Sequence, residues 1–210
     1  MRRRGIAAVA GMLAGLLLVP STARAAGDSV SGGDPVTSGS YRCTAGANLT
    51  AGGVYYFATA GHCGTAATTW YTVGGTPIGP TVATRFPGDD FAVVRYTGGV
   101  AHEGTVGAQD ITSAGNAHVG EHVCMRGGTS GVHCGTVLAL NATINYAQGT
   151  VTGLIRTNIC SEAGDSGSPL YDGGVLLGLL SGGSGNCTSG GVTFFQPITE
   201  ILSAYGLSVY

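Results

Sequence analysis

Ser166 lies in Gly164-Asp165-Ser166-Gly167-Ser168-Pro169, a glycine-flanked turn that presents one hydroxyl among backbone amides. A serine hydroxyl is a weak nucleophile unless a base takes its proton and a third group orients that base. Two upstream segments offer those partners. Thr59-Ala60-Gly61-His62-Cys63 supplies an imidazole, and Asp89-Asp90-Phe91-Ala92-Val93-Val94 supplies an acid at the head of an apolar run. Neutral His62 can accept the serine proton and later return it to a leaving group. Asp90 can accept from the far ring nitrogen and hold the tautomer; Asp89 competes for that role, but the apolar run starts beside Asp90 and makes it the acid to be buried. The turn geometry aims the N–H groups of Gly164 and Ser166 at one point, where a carbonyl oxygen could become an oxyanion. His102, His118, His122 and His133 read as surface or disulfide-loop histidines, since none combines a strand end, a glycine and a disulfide tether. The α/β-hydrolase order of serine, acid, histidine is excluded, because no histidine follows His133.

These residues need elements to hold them. Glycine occurs 39 times and charged residues form only 10% of the chain, against roughly 25% in ordinary soluble domains. Short apolar runs bounded by Gly, Asn, Asp and Pro recur at the spacing of an all-β barrel or sandwich. Val54–Ala60 reads as a buried strand leading to His62, Phe91–Tyr96 as a strand leaving Asp90, Val132–Tyr146 as two strands around Asn141, and 170–177 as a hairpin with Asp-Gly at its turn. Ile198, Ile201, Leu202 and Tyr205 fall on one helical face, between Pro197 in a first turn and Gly206 as a stop, so one short C-terminal helix is expected. Residues 113–120 form the crossing between two halves of similar size.

The N-terminus has the form of an export leader: Arg2-Arg3-Arg4, an apolar run Ile6–Val19, and Ala23-Arg24-Ala25 before Ala26. The run is shorter than the roughly 20 residues of a membrane span. Cleavage after Ala26 leaves 184 residues with five arginines against eleven acids. A net negative chain without a basic cluster has no electrostatic footprint for nucleic acid. Six cysteines (Cys43, Cys63, Cys124, Cys134, Cys160, Cys187) in an exported chain indicate three disulfides, for which fifteen pairings exist. Nearest-neighbour pairing would tether the loop of His62 and bracket Ser166. A zinc site from His122, Cys124, His133 and Cys134 lacks a paired C-x-x-C spacing, and no metal or other cofactor is expected.

The motifs Thr-Ala-Gly-His-Cys, Phe-Pro-Gly-Asp-Asp-Phe-Ala-Val-Val-Arg-Tyr, Gly-Asp-Ser-Gly, Ser181-Gly182-Gly183-Ser184-Gly185-Asn186-Cys187 and Gly191-Val192-Thr193-Phe194-Phe195-Gln196-Pro197 together resemble the bacterial chymotrypsin-fold serine proteases of the streptogrisin and α-lytic protease type. The resemblance spans about Val30 to Tyr210. It implies two six-stranded antiparallel β-barrels, residues 27–115 with His62 and Asp90 and residues 116–210 with Ser166, forming one peptidase domain behind a signal peptide at 1–26. It implies the pairs Cys43–Cys63, Cys124–Cys134 and Cys160–Cys187, Asp90 as the acid, Ser181 as a hydroxyl supporting it, and an ion pair for Asp165, with Arg126 as the partner. It also implies a substrate pocket walled by 160–163 and Ser181, Gly182 and Gly183, with Thr193 near the base. No acid sits at that base and no histidine lies near it, so large apolar side chains (Phe, Tyr, Leu) are expected on the acyl side of the cut, with broad selectivity. The expected protein is a secreted, monomeric endopeptidase acting on proteins or peptides and open to proteinaceous inhibitors, with no membrane or nucleic-acid partner. A catalytically silent binding homologue and an esterase with the same triad are the alternatives. Two features depart from the family: Ser168 replaces its usual glycine, and the stretch between Ala26 and Val30 leaves almost no room for its usual long pro-region.

Overall fold

The computed structural model describes Met1 and residues 28–210, so the expected leader lies outside the described residues. In chain order the elements are β1 (Ser29–Gly32), β2 (Pro35–Ser38), β3 (Tyr41–Thr44), β4 (Ala47–Ala51), β5 (Val54–Thr59), α1 (Gly61–Ala66), β6 (Thr69–Thr72), β7 (Pro77–Arg85), β8 (Phe91–Arg95), β9 (Ala101–Val106), β10 (Gln109–Asp110) and β11 (Ser113–Ala114). They continue as β12 (His122–Gly127), β13 (Gly131–Tyr146), β14 (Gly149–Thr157), β15 (Pro169–Asp172), β16 (Val175–Asn186), β17 (Gly190–Pro197) and α2 (Ile198–Tyr205).

Most strands form two curled sheets, and β1, β9 and β10 form a third, small one. The first runs β3-β2-β6-β7-β8-β5-β4. Its two edges, β3 and β4, are separated along the chain only by Ala45 and Gly46, so one bent stretch brings the edges together. In the second, β12, β13, β14, β17, β16 and β15 pair in a ring closed by β12–β15 and β16–β17. Closure of this kind removes exposed edges. The ladders within each curl are antiparallel; two short parallel pairings are added, β1 on β9 and β11 on β16.

Side-chain alternation distributes the core three ways. Trp70, Phe57, Val36 and Ile78 fill the first curl, while Val123, Met125, Leu170 and Phe195 fill the second. A third cluster joins them: Leu49, Ala58, Phe91 and Val93 from the first half pack with Leu176, Leu179, Ile198 and Ile201 from the second. Hence β8 reads as a continuous apolar run. Val94 faces the first core and Phe91 and Val93 face the shared one, so both sides of the strand are buried.

The structure corrects four local expectations. His62 sits on a second short helix, α1, rather than on a loop. The stretch around Asn141 is one sixteen-residue strand, in which Asn141 adopts φ 56° and the pairing to β14 shifts register, rather than two strands. The β15–β16 hairpin turns on Gly173-Gly174, and Asp172 is paired to Val175. Pro197 caps α2 instead of entering its first turn; Gly206 ends it in the left-handed conformation, its N–H donating to the Leu202 carbonyl.

Candidate active site

Strand β5 ends against β8, with Thr59 opposite Ala92, and the chain then enters α1. Gly61 makes that entry possible: a Cβ there would stand 2.2 Å from the Arg85 carbonyl oxygen and 2.7 Å from the Phe91 nitrogen. His62 thereby lies beside Asp90 at the head of β8. The His62 N–H donates to Asp90 Oδ1 at 2.8 Å, and His62 Nδ1 lies 2.9 Å from Oδ2 and 3.1 Å from Oδ1. An acceptor on Nδ1 places the ring proton there and leaves Nε2 free to accept. Asp90 is 0% exposed, whereas His62 is 31% exposed. The neighbouring carboxylate does something else: Asp89 pairs with Arg85 at 2.9 Å on the surface.

Asp90 is held from the second half as well. Ser181 Oγ donates to its Oδ2 at 2.6 Å, and its backbone N–H donates to Gln196 Oε1 at 2.7 Å. The Ser181 proton is committed to that carboxylate, so in the 2.8 Å contact between Tyr146 OH and Ser181 Oγ the tyrosine is the donor. Burial pushes the Tyr146 hydroxyl up, which keeps that donor protonated. The Tyr146 and Phe86 rings flank His62 with centroids 6.4 and 5.7 Å away. Gln196, Tyr146 and Phe86 were not singled out from the sequence. The nearest signal was Gln196, a polar residue inside an apolar strand next to a proline.

The Ser166 turn docks on the same place. Gly167 N–H donates to the Leu180 carbonyl, one residue before Ser181, and Thr44 N–H donates to the Ser166 carbonyl, both at 2.8 Å. Gly167 has φ 90°, and a Cβ on it would meet Thr59 Oγ1 at 2.2 Å and the Ala60 nitrogen at 2.9 Å. The serine turn therefore touches the strand that leads to His62. Thr44 is a further residue missed from sequence. Fully buried, it donates through its hydroxyl to the Gly164 carbonyl at 2.8 Å and accepts Thr59 Oγ1 on its own carbonyl at 2.8 Å. Among the described residues, the N–H groups of Gly164 and Ser166 have no acceptor and the Ser166 hydroxyl has no hydrogen-bond partner.

The expected ion pair of Asp165 is not formed. Arg126 bonds Asp34 at 2.8 Å, and the buried Asp165 carboxylate instead accepts three backbone amides, Thr129 at 2.8 Å and Ser130 at 3.1 Å on Oδ1 and Glu162 at 2.8 Å on Oδ2. Backbone N–H groups can satisfy a buried carboxylate without a cation.

The cysteines are joined Cys43–Cys63, Cys124–Cys134 and Cys160–Cys187. The first ties α1 to β3, and the third closes the segment carrying Ser166. Thr193 is fully buried and shares a 2.7 Å hydroxyl contact with Thr157, so the hydroxyls at this point satisfy each other without a charge. Glu162 is turned to the disulfide loop, accepting the Cys187 N–H at 2.8 Å. Strand β16 pairs with β15 only as far as Leu179, so on that side Ser181, Gly182 and Gly183 present an unpaired edge. One histidine lies against the Cys160–Cys187 disulfide. A ring nitrogen of His133 is within 4.8 Å of the Cys160 and Cys187 sulfurs, while its Nε2 bonds the Ser130 carbonyl at 3.0 Å.

Residues 30–204 match the family model described as Trypsin. The chain belongs to the trypsin family. This trypsin-family chain is 46% identical to Streptogrisin-A of Streptomyces griseus over 86% of its length and 61% of that protein's. It is 48% identical to Streptogrisin-D of the same organism, over 86% of its length and 48% of that protein's. The chain thus spans about half to three fifths of these curated relatives. A solved structure described as a glutamic acid specific serine protease that utilises a histidine triad in substrate binding superposes with a TM-score of 0.83 at 45% identity, covering 86% of this chain and 100% of that one. The two curled sheets are those of the chymotrypsin fold, as in these bacterial serine proteases. Among the described residues, no helix is long and apolar enough to cross a membrane.

Proposed function

We propose that this chain is an active serine endopeptidase, secreted as a monomer, with Ser166 as nucleophile, His62 as general base and Asp90 as its orienting acid. The observation that carries the reading is the buried Asp90 carboxylate, bonded to His62 Nδ1 and Ser181 Oγ, with a glycine-flanked serine turn carrying two unengaged amides packed on the strand that leads to His62. Ser166 Oγ attacks the scissile carbonyl carbon as its proton passes to His62 Nε2. The oxyanion is received by the N–H groups of Gly164 and Ser166. Collapse expels the amine, which takes the proton from His62, and water then cleaves the acyl-enzyme by the same steps in reverse.

An extended protein or peptide substrate adds along the open edge of Ser181–Gly183. Its acyl-side residue is large and apolar, because the mutually bonded hydroxyls of Thr157 and Thr193 offer no charge to a Lys, Arg or Glu. The position of His133 beside the Cys160–Cys187 disulfide supports a second reading, preference for glutamate, which the glutamate-specific relative shares. Residues 27–115 and 116–210 act as two barrels of one peptidase domain. The three disulfides and the leader-like N-terminus support export. Proteinaceous inhibitors that mimic an extended substrate would occupy the same edge.

A fluorophosphonate probe should form one adduct on Ser166, absent in Ser166→Ala and strongly reduced in His62→Ala. No adduct on folded protein would establish the silent homologue, and turnover of esters without peptides the esterase. A peptide-mixture digest should show cuts after Phe, Tyr and Leu; cuts after Glu, lost in His133→Ala, would establish the second reading.

A further inference from the structure

Ser168, which the resemblance marks as standing in place of a glycine, does not face solvent. It is 0% exposed. Its Oγ donates to the Asp165 carbonyl at 2.5 Å, and its backbone N–H donates to the same oxygen at 2.9 Å. Both lone-pair directions of that carbonyl are therefore occupied by one residue.

The carbonyl in question belongs to the planar peptide whose other edge is the Ser166 N–H. Fixing the oxygen fixes the direction of that N–H. A carbonyl that accepts hydrogen bonds also polarises its amide, strengthening the N–H as a donor by about 10–30% per bond. Other groups along the turn are held too: Gly164 O by Thr44 Oγ1, Ser166 O by Thr44 N–H, and Gly167 N–H by Leu180 O. The Asp165 side chain is pinned by its three backbone amides. Only the Asp165–Ser166 peptide has its N–H unengaged and its carbonyl doubly held, the arrangement expected of a donor kept ready for a charge that appears during reaction.

We propose that Ser168 is a positioning residue of the oxyanion hole, its hydroxyl clamping and polarising the Asp165–Ser166 peptide so that the Ser166 N–H is aligned before substrate arrives. This rests on the reading of Ser166 as nucleophile. It predicts a contribution to the transition state with little to ground-state binding, since the clamped group touches substrate only through the N–H.

The test is steady-state kinetics of wild type, Ser168→Ala and Ser168→Gly on a peptide amide, with rates normalised to sites titrated by a fluorophosphonate so that misfolded protein is not counted. Loss of one hydrogen bond on this peptide should lower kcat about 3- to 10-fold with KM changed less than twofold. Affinity for a peptidyl trifluoromethyl ketone, which forms the oxyanion, should fall by the same factor. If Ser168→Ala does not fold, Ser168→Gly carries the test, because it removes the same hydroxyl and places the residue that the resemblance implies there. Unchanged kcat and ketone affinity, or a rise in KM alone, would overturn the clamp. Failure of wild type to label at Ser166 would instead remove the nucleophile reading beneath it.

Discussion

Asp90 is held at four points: its buried carboxylate accepts from the His62 ring, the His62 N–H and the Ser181 hydroxyl, and its own backbone N–H donates to the Gln196 side chain. A buried charge tolerates this position only while its partners remain. Replacing Ser181 by Ala removes a hydrogen bond to a charged group, a loss of about 1.5–3 kcal/mol. Ser181→Ala should therefore lower kcat roughly 10-fold, with denaturant unfolding at lower concentration. Gln196→Leu should leave the buried Asp90 N–H unpaired and lower stability by about 1–3 kcal/mol, measured by the same unfolding experiment. At this scale the sequence was informative where a residue type is chemically rare. His62 beside Cys63, the Asp89-Asp90 pair before an apolar run and the Gly-Asp-Ser-Gly turn were all visible. Thr44 and Tyr146 were not, because threonine and tyrosine are ordinary strand residues and only their partners make them special.

Strands and turns decide whether those groups meet. The serine turn approaches β5 so closely that Gly167 has no room for a side chain and holds a positive φ. Gly167→Ala should combine backbone strain with a clash against Thr59 and Thr44, leaving either insoluble protein or a folded enzyme with peptidase activity below one hundredth of wild type; near-normal activity would show that the two segments can separate. The disulfides act on elements too. Cys160–Cys187 closes 27 residues and Cys124–Cys134 closes 10. On the chain-entropy account, removing the longer loop's bond costs about 1 kcal/mol more, so the Cys160/Cys187→Ala double variant should unfold at lower denaturant than the Cys124/Cys134→Ala one. Periodicity gave away α2 and most strands. It missed α1, whose Gly-His-Cys-Gly-Thr-Ala carries no apolar stripe, and it broke β13 at Asn141, where a left-handed residue is absorbed by shifts in register.

Across the whole molecule, the two curls meet over a core shared by Phe91, Val93, Leu176, Leu179, Ile198 and Ile201. That core sits beneath the site, since Phe91 follows Asp90 directly and Leu179 lies two residues before Ser181. Ile201→Ala should cost about 2–5 kcal/mol and depress activity near the unfolding temperature before either curl melts alone. Alkaline pH supplies a second whole-molecule test. Burial pushes the hydroxyl of Tyr210 up to about 12 and raises those of Tyr96, Tyr146 and Tyr171. The unfolded chain releases these protons near pH 10 while the folded chain still holds them, so stability is full below pH 10 and falls as pH rises beyond it. Thermal midpoints should decline from about pH 10 upward, and Tyr96→Phe should flatten that slope although it also loses the 2.7 Å bond to Asn48.

By itself the sequence determined the groups on offer and the class of scaffold: a serine, a histidine and an aspartate of the types proposed as nucleophile, base and acid, in a glycine-rich, weakly charged chain of short apolar runs. Those are local properties, set by residue type and spacing. The tertiary structure alone decided that Arg126 serves Asp34 rather than Asp165, that His133 lies against the Cys160–Cys187 disulfide, and that Ser168 turns inward to the Asp165 carbonyl. The first two depend on which distant segment lies alongside, and a pairing between residues tens of positions apart leaves no trace in the spacing of either one. The third joins residues only three apart, but the packing that buries Ser168 turns its hydroxyl inward.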